Sequence, residues 1–375
     1  MMMRNGRTLS LLTVLLLSAP LVAWPAQHSL SDRELEAMAG SKYVSGELPL
    51  GDGHYVTDVP RKGYIYLCHP MRGGGGGAQH VGSWIHGKSW NFNQKIAVQG
   101  RMMWREAQFS DTLKDSLRVL TGNGLPIGAT TGIFPVQPAD PAYAYDRNPN
   151  HIQQQSLQDT LPVNPTYSDT PYCMGGEAGI MLNGVPLFNG FDAGMRDAAA
   201  HEIQDSCNGH PQRSGQYHYH SLSSCIRDVS EQRVIGFALD GFPITGPEVS
   251  PGKYLTTDDL DECHGITSEI VLDGKRTMTY HYVMTMDFPY SVSCFRGKPS
   301  RTGPADSGRT EESRPPQREG QEHGHMPPPE AVQACNGKTQ GAECGFISPR
   351  RDKIAGRCDT PPGSGVPACI PDRRP

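Results

Sequence analysis

Four of the chain's 14 histidines fall close together, at His201, His210, His218 and His220. Two of them belong to Gly215-Gln216-Tyr217-His218-Tyr219-His220, where tyrosine and histidine alternate. In a strand, successive side chains face opposite ways and rise about 3.3 Å per residue. His218 and His220 would then share one face, and Tyr217 and Tyr219 the other. Two imidazoles at that spacing can chelate one ion, and imidazole-rich sites with tyrosine nearby suit copper or zinc. His201 is the expected third ligand. His210 follows the turn dipeptide Asn208-Gly209 and can fold back on the same point. Asp205 is a candidate fourth ligand, or the group that orients a ligand histidine. Glu202, Tyr217 and Tyr219 are expected around the site, and His281 either there or reaching it from the second repeat.

Other chemistries find less support in the pattern. Ser206, Ser214 and Ser221 lie near histidines, but no Gly-x-Ser-x-Gly elbow accompanies them. A metallohydrolase would use Glu202 or Asp205 as a base on metal-bound water, yet the His-Glu-x-x-His motif is absent. The plain alternative is a non-catalytic structural or surface-interaction protein. In it the Tyr-His strand is hydrogen-bonded core, since both residue types suit strands and bury well with partners.

The elements that must position these residues are legible. Arg196 to Gln204, centred on Ala198-Ala199-Ala200, reads as a helix. On it His201 and Asp205 share a face while Glu202 points elsewhere. Gly179-Ile180-Met181-Leu182-Asn183-Gly184-Val185-Pro186-Leu187 matches Gly236-Phe237-Ala238-Leu239-Asp240-Gly241-Phe242-Pro243-Ile244, each an apolar strand, an Asn/Asp-Gly turn and a second strand. The match runs on. Asp205-Ser206-Cys207 pairs with Asp261-Glu262-Cys263, Tyr217-His218-Tyr219 with Tyr280-His281-Tyr282, and Cys225 with Cys294. The second copy has Val283 where the first has His220, and Ile266 where it has His210. His281 either belongs to its own unit or reaches across to complete the first site. One cysteine pair per copy suggests disulfides Cys207–Cys225 and Cys263–Cys294, leaving Cys68 and Cys173 to each other.

The stretches Asn183-Gly184-Val185-Pro186, Ala200-His201-Glu202, Cys207-Asn208-Gly209-His210-Pro211 and Gly215 to His220 resemble the YHYH domain family. The resemblance continues through Ile235 to Ile244, Leu260 to Cys263, Phe288-Pro289-Tyr290 and Cys294-Phe295-Arg296-Gly297. It covers roughly residues 60–297. It implies a secreted protein and brings no reaction or substrate with it. Family members often carry a second Tyr-His-Tyr-His where this chain has Tyr280-His281-Tyr282-Val283.

The expected fold class is mainly β with a few short helices: two pseudo-repeated β units, about 179–225 and 236–294, in one domain. A small disulfide-stapled C-terminal module follows. With 43 glycines and 32 prolines in 375 residues, turns and loops must be abundant. Residues 1–26 read as a signal peptide, with Arg4 and Arg7 before an apolar run from Thr8 to Leu17 and small residues Ala23 and Ala26 after it. That run is short for a bilayer span, and no other stretch qualifies after its removal. A secreted or periplasmic location is expected. Residues 27–60 form a lead-in and 61–297 the main domain. Gly73 to Gly77 reads as a flexible loop, because no Lys-Ser/Thr follows it as a phosphate cradle requires. Residues 298–329, which include His323 and His325, are too polar to fold and read as a disordered linker. Residues 330–371 hold Cys335, Cys344, Cys358 and Cys369 and need two disulfides in place of a core. The tail from Pro328 is similar to small cysteine-rich segments appended to other exported bacterial proteins, and is the expected contact for an extracellular or cell-surface partner. A formal charge of −5 without a basic block argues against nucleic acid.

Overall fold

The computed structural model describes residues 46–69, 78–301, 329–335, 338–347, 353–359 and 367–371. The expected leader, the Gly73 to Gly77 run and His323 and His325 of the expected linker lie outside the described residues. The described chain divides into two compact bodies, one reaching 301 and one starting at 329.

The larger body is organised by one eight-stranded sheet. Its strands are β1 (Glu177–Met181), β2 (Pro186–Phe188), β3 (Gly209–Pro211), β4 (Tyr217–Tyr219), β5 (Val234–Ala238), β6 (Pro243–Thr245), β7 (Gly265–Leu272) and β8 (Lys275–Val283). Across the sheet they run β3-β4-β2-β1-β5-β6-β8-β7. The order reads the same from either edge once the repeats are exchanged. β1 and β5 meet antiparallel at the centre. Each has its hairpin partner outside it, then a parallel neighbour (β4 on β2, β8 on β6), then an antiparallel edge strand. The two repeats expected from the sequence are the two halves of this sheet.

The halves agree in detail because the same residues impose the same backbone. Both hairpins turn on a glycine with positive φ, Gly184 at +85° and Gly241 at +92°. Both carry a bulge at the same place, between Glu177 and Gly179 and between Val234 and Gly236. Gly209 and Gly265 begin the edge strands directly over a tyrosine. A Cβ there would stand 2.3 Å from Tyr217 or 2.2 Å from the Tyr280 hydroxyl, so only glycine fits.

β1 and β5 are buried along their whole length, which fits a sheet covered on both faces. On one face, Ile180 and Phe237 pack with Leu120 and Leu161 of an antiparallel meander (Phe109–Lys114, Leu117–Gly122, Leu157–Pro162). On the other, Ala178, Met181 and Ala238 join the main core with Leu48, Ile65, Trp84 and Ile203. Disulfides Cys207–Cys225 and Cys263–Cys294 close each half, and Cys68–Cys173 ties the early chain to the start of the repeats.

The smaller body is a three-stranded antiparallel sheet (Glu343–Ile347, Lys353–Asp359, Ala368–Pro371) with a short helix, Pro329–Gln333. Of the connectivities open to its cysteines, it adopts Cys335–Cys358 and Cys344–Cys369. Among the described residues no helix is long and apolar enough to cross a membrane.

Candidate metal centre

The site is assembled by a short hairpin and by the end of a short helix. β3 and β4 pair antiparallel with His210 directly opposite His218. The turn between them is closed by Gly215, at φ +82°, whose N–H donates to the Gln212 carbonyl over 2.8 Å. Strand alternation sends the side chains of Tyr217 and Tyr219 away from the histidines. The Tyr217 hydroxyl donates to Asp205, and Asn183 Nδ2 donates to the Tyr219 hydroxyl over 3.0 Å. His218 and His220 share the opposite face, and the pairing register brings His210 onto it. The three ring centroids stand 4.6, 4.8 and 5.6 Å apart.

The fourth member was expected elsewhere. The helix covers only Ala198–His201, not Arg196 to Gln204. Asp197 caps its start by accepting from Ala200 N. It stops because the next backbone groups are bonded outside it: the Gln204 carbonyl accepts from Val98 N and the Asp205 N–H donates to the Gly209 carbonyl, each over 2.9 Å. Glu202 is therefore extended, with ψ at 143°, and its carboxylate meets the histidines. Glu202 Oε2 lies 3.1 Å from His210 Nε2 and 3.2 Å from His220 Nε2. His218 Nε2 and His220 Nε2 are 3.0 Å apart. Four donors bound tetrahedrally at about 2.0–2.1 Å from one ion would stand about 3.3 Å from each other. All four residues are buried, at 3–6 % exposure.

The hydrogen bonds around this quartet determine which ring atoms carry lone pairs. His218 Nδ1 is 3.1 Å from the Gln216 carbonyl and His220 Nδ1 is 2.6 Å from the Asn189 carbonyl. A carbonyl only accepts, so both Nδ1 atoms hold the proton. In neutral rings both Nε2 atoms are then bare, and two lone pairs face each other across 3.0 Å. That arrangement calls for a cation between them. The contacts of Glu202 point the same way. Its Oε2 and both ring nitrogens of His210 are buried without a partner in hydrogen-bond geometry, although Oε2 and His210 Nε2 are 3.1 Å apart. Glu202 Oε2 and one nitrogen of His210 thus face the same space as the bare Nε2 atoms of His218 and His220. Ligand histidines commonly donate their other ring N–H to a carbonyl, as His218 and His220 do here.

The charges are consistent with that reading. Burial pushes His218 well below the ordinary imidazole range and His220 below it, so both are neutral. Burial also works to raise Glu202, but the facing imidazoles, His210 foremost, pull it down to about 2. His210 ends above its ordinary value, because the attraction of Glu202 outweighs burial. Asp146, buried behind His210, is raised by burial against the pull of that ring.

The structure therefore brings together His210, His218 and His220 of the expected ligands, and adds Glu202. His201 is turned away, its Nε2 2.9 Å from Asp52 Oδ2. Asp205 is fully engaged elsewhere, accepting from the N–H groups of Gly132, Cys207 and Gly209 and from Tyr217. His281 does not reach across the sheet. β8 and β4 are five strand positions apart, about 24 Å at the usual spacing. Its nitrogens meet Thr245 Oγ1 and Ser268 Oγ, each at 2.9 Å, within its own repeat. The sulfurs of Cys335, Cys344 and Cys358 also cluster, but as members of two disulfides they offer no thiolate.

Residues 158–255 match the family model described as YHYH protein. Over that segment the chain is similar to the YHYH family. The matched segment contains β1 to β6 and every member of the quartet, and ends before β7 and β8. The similarity read from the motifs reaches further along the chain than this match. No curated protein and no solved structure matches the chain. Of the groups around the YHYH site, Glu202 as a direct donor, Asp52 and Asp146 escaped the sequence reading. Glu202 stood beside a predicted ligand, but no local signal turned it inward.

Proposed function

We propose that this is an exported metal-binding protein whose YHYH domain holds one transition-metal ion, zinc or copper, on His210, His218, His220 and Glu202. The observation that carries the reading is the pair of bare Nε2 atoms held 3.0 Å apart by carbonyl-fixed tautomers. Three imidazoles and a carboxylate suit either ion, with copper(II) favoured by intrinsic affinity and zinc by tetrahedral geometry. Burial of all four donors supports holding an ion in preference to turning over a substrate, which ranks metal handling above redox chemistry and hydrolysis. The signal-peptide pattern and the five disulfides support export, since such bonds persist in oxidising compartments. In this scheme the small C-terminal body contacts an extracellular or cell-surface partner.

Elemental analysis of the purified full chain, grown in metal-replete medium, tests the proposal. One equivalent of zinc or copper is expected, with a large rise in Tm over the metal-free form. A His218→Ala, His220→Ala double variant should fold and lose the ion. Absence of any bound metal, with no thermal shift on adding either ion, would leave the tyrosine–histidine strand as structural core.

A further inference from the structure

Beside the metal centre lies a cavity of about 90 Å³ that the quartet does not use. Its apolar wall includes Leu48, Phe92, Ile96, Leu222 and Met286. The polar residues of the wall include Asp205, Lys95 and Trp90. Asp205 offers no free capacity, because its two oxygens already accept from three backbone N–H groups and the Tyr217 hydroxyl. Lys95 Nζ donates to the Ala199 carbonyl and to Gln204 Oε1. An ammonium carries three N–H groups, so one remains, and no carboxylate among the described residues forms an ion pair with it. Trp90 is 5 % exposed, and its indole N–H is buried without an acceptor. The Tyr290 hydroxyl, which donates to Asp197 over 2.7 Å, lies beside the indole without meeting hydrogen-bond geometry as its acceptor.

At the Lys95 and Trp90 end of the cavity the spare hydrogen-bonding capacity is therefore donor, from an amine and an indole, while Asn208, Ser221 and Thr285 line other parts of the wall. A ligand that completes this end must bring acceptor oxygens, and a negative one would hold as an ammonium the Lys95 amine that burial lowers to about 7. At about 30 Å³ per water in the liquid the cavity has the volume of about three waters, which limits it to an anion as small as acetate or propionate. We propose that this cavity binds a short-chain carboxylate, with the carboxylate accepting from Lys95 Nζ and Trp90 Nε1 and the alkyl part lying against Phe92, Ile96, Leu222 and Met286. The cavity lining contains none of the four candidate metal ligands.

Calorimetric titration of the full chain with propionate tests this, with propionamide as the neutral analogue of the same size. Propionate should bind and raise Tm, and propionamide should bind at least about tenfold more weakly. Lys95→Met should weaken propionate by about tenfold or more, since a hydrogen bond to a charged group is lost, and Trp90→Phe by about two- to tenfold. If Lys95→Met does not fold, Trp90→Phe and the propionamide comparison carry the decision. Failure of both acetate and propionate to bind, equal binding of propionamide, or propionate binding unchanged in the variants overturns the proposal. Binding that survives Lys95→Met places the carboxylate elsewhere, on the metal for instance.

Discussion

The two halves of the central sheet share a skeleton and differ in what they do with it. In each, an aspartate near the disulfide accepts from the N–H two residues on, from the N–H of the edge-strand glycine, and from the strand tyrosine. Asp205 does so with Cys207, Gly209 and Tyr217, and Asp261 with Cys263, Gly265 and Tyr280. In each, the second tyrosine of the strand meets the turn residue of the hairpin, Tyr219 with Asn183 and Tyr282 with Asp240. The histidine faces diverge. The first half presents His210, His218 and His220 with bare or unpartnered ring atoms toward Glu202. The second has Ile266 and Val283 in place of two of them, and its remaining His281 has hydroxyl partners at both nitrogens. The same strand position is thus a candidate ligand in one half and a satisfied core histidine in the other. What separates them is whether the hydrogen-bond partners of that histidine are complete and whether its neighbours are His210 and His220 or Ile266 and Val283.

The largest effect should come from the shared skeleton. Asp205→Ala leaves three backbone N–H groups and a tyrosine hydroxyl without their acceptor in a fully buried place, and should cost about 3–5 kcal/mol. Asp261→Ala removes a more exposed carboxylate, which also pairs with Arg296, and should cost less, about 1–3 kcal/mol. Denaturant unfolding of both variants checks this, and equal costs would show that burial does not distinguish the halves.

Next comes the contrast between the histidines themselves. His218→Ala should reduce zinc or copper affinity by at least about 100-fold, more than the loss of an outer-sphere partner would. His281→Ala should leave affinity within about twofold of the parent while lowering stability. Competition titration with a chelator reads both, and an affinity change in the second variant would reconnect the halves.

The response to pH follows from groups whose protonation is shifted. His218 and His220 are held neutral by burial, so below the ordinary imidazole pKa of 6.5 the unfolded chain binds more protons than the native one. Their contribution is complete above that value and is lost as pH falls. Glu202, held at about 2, adds stability that is present above 4.5 and lost toward 2. His264 in the second half, pushed down by burial to about 3, acts in the same direction as His218. The raised His210, Asp146, Asp197, Asp205, Asp240 and Glu177 act in the opposite direction, so the two histidines are read from the difference between parent and variant: on going from pH 7.5 to 5.0 the parent should lose more stability than the His218→Ala, His220→Ala variant. The increment from added zinc should shrink further, because protons compete for the ligand nitrogens.

The smallest effect is expected from Val283→His, which restores the missing tyrosine–histidine pattern in the second half. The stoichiometry should stay at one ion, because both nitrogens of His281 are occupied and Ile266 still stands where His210 would be needed. A second equivalent of metal in elemental analysis would mean that sequence pattern alone makes the site.

Much of this was legible from residue types in order. Alternation at Tyr217 to His220 fixes which side chains share a face, because the strand period is two. The duplicated hairpins and the spacing of the cysteines fix the two halves and three disulfides, because turn chemistry and loop closure are local. The ligand set was not local. Whether His201 or Glu202 faces the imidazoles depends on where a short helix ends, and that is set by hydrogen bonds to Val98 and Gly209 from distant parts of the chain. His201 is drawn off by Asp52, separated from it by 149 residues. The Tyr-His strand itself was written in the sequence. Its conversion into a closed quartet, with protons fixed on the far side of two rings, was decided by carbonyls that only tertiary packing brings to them.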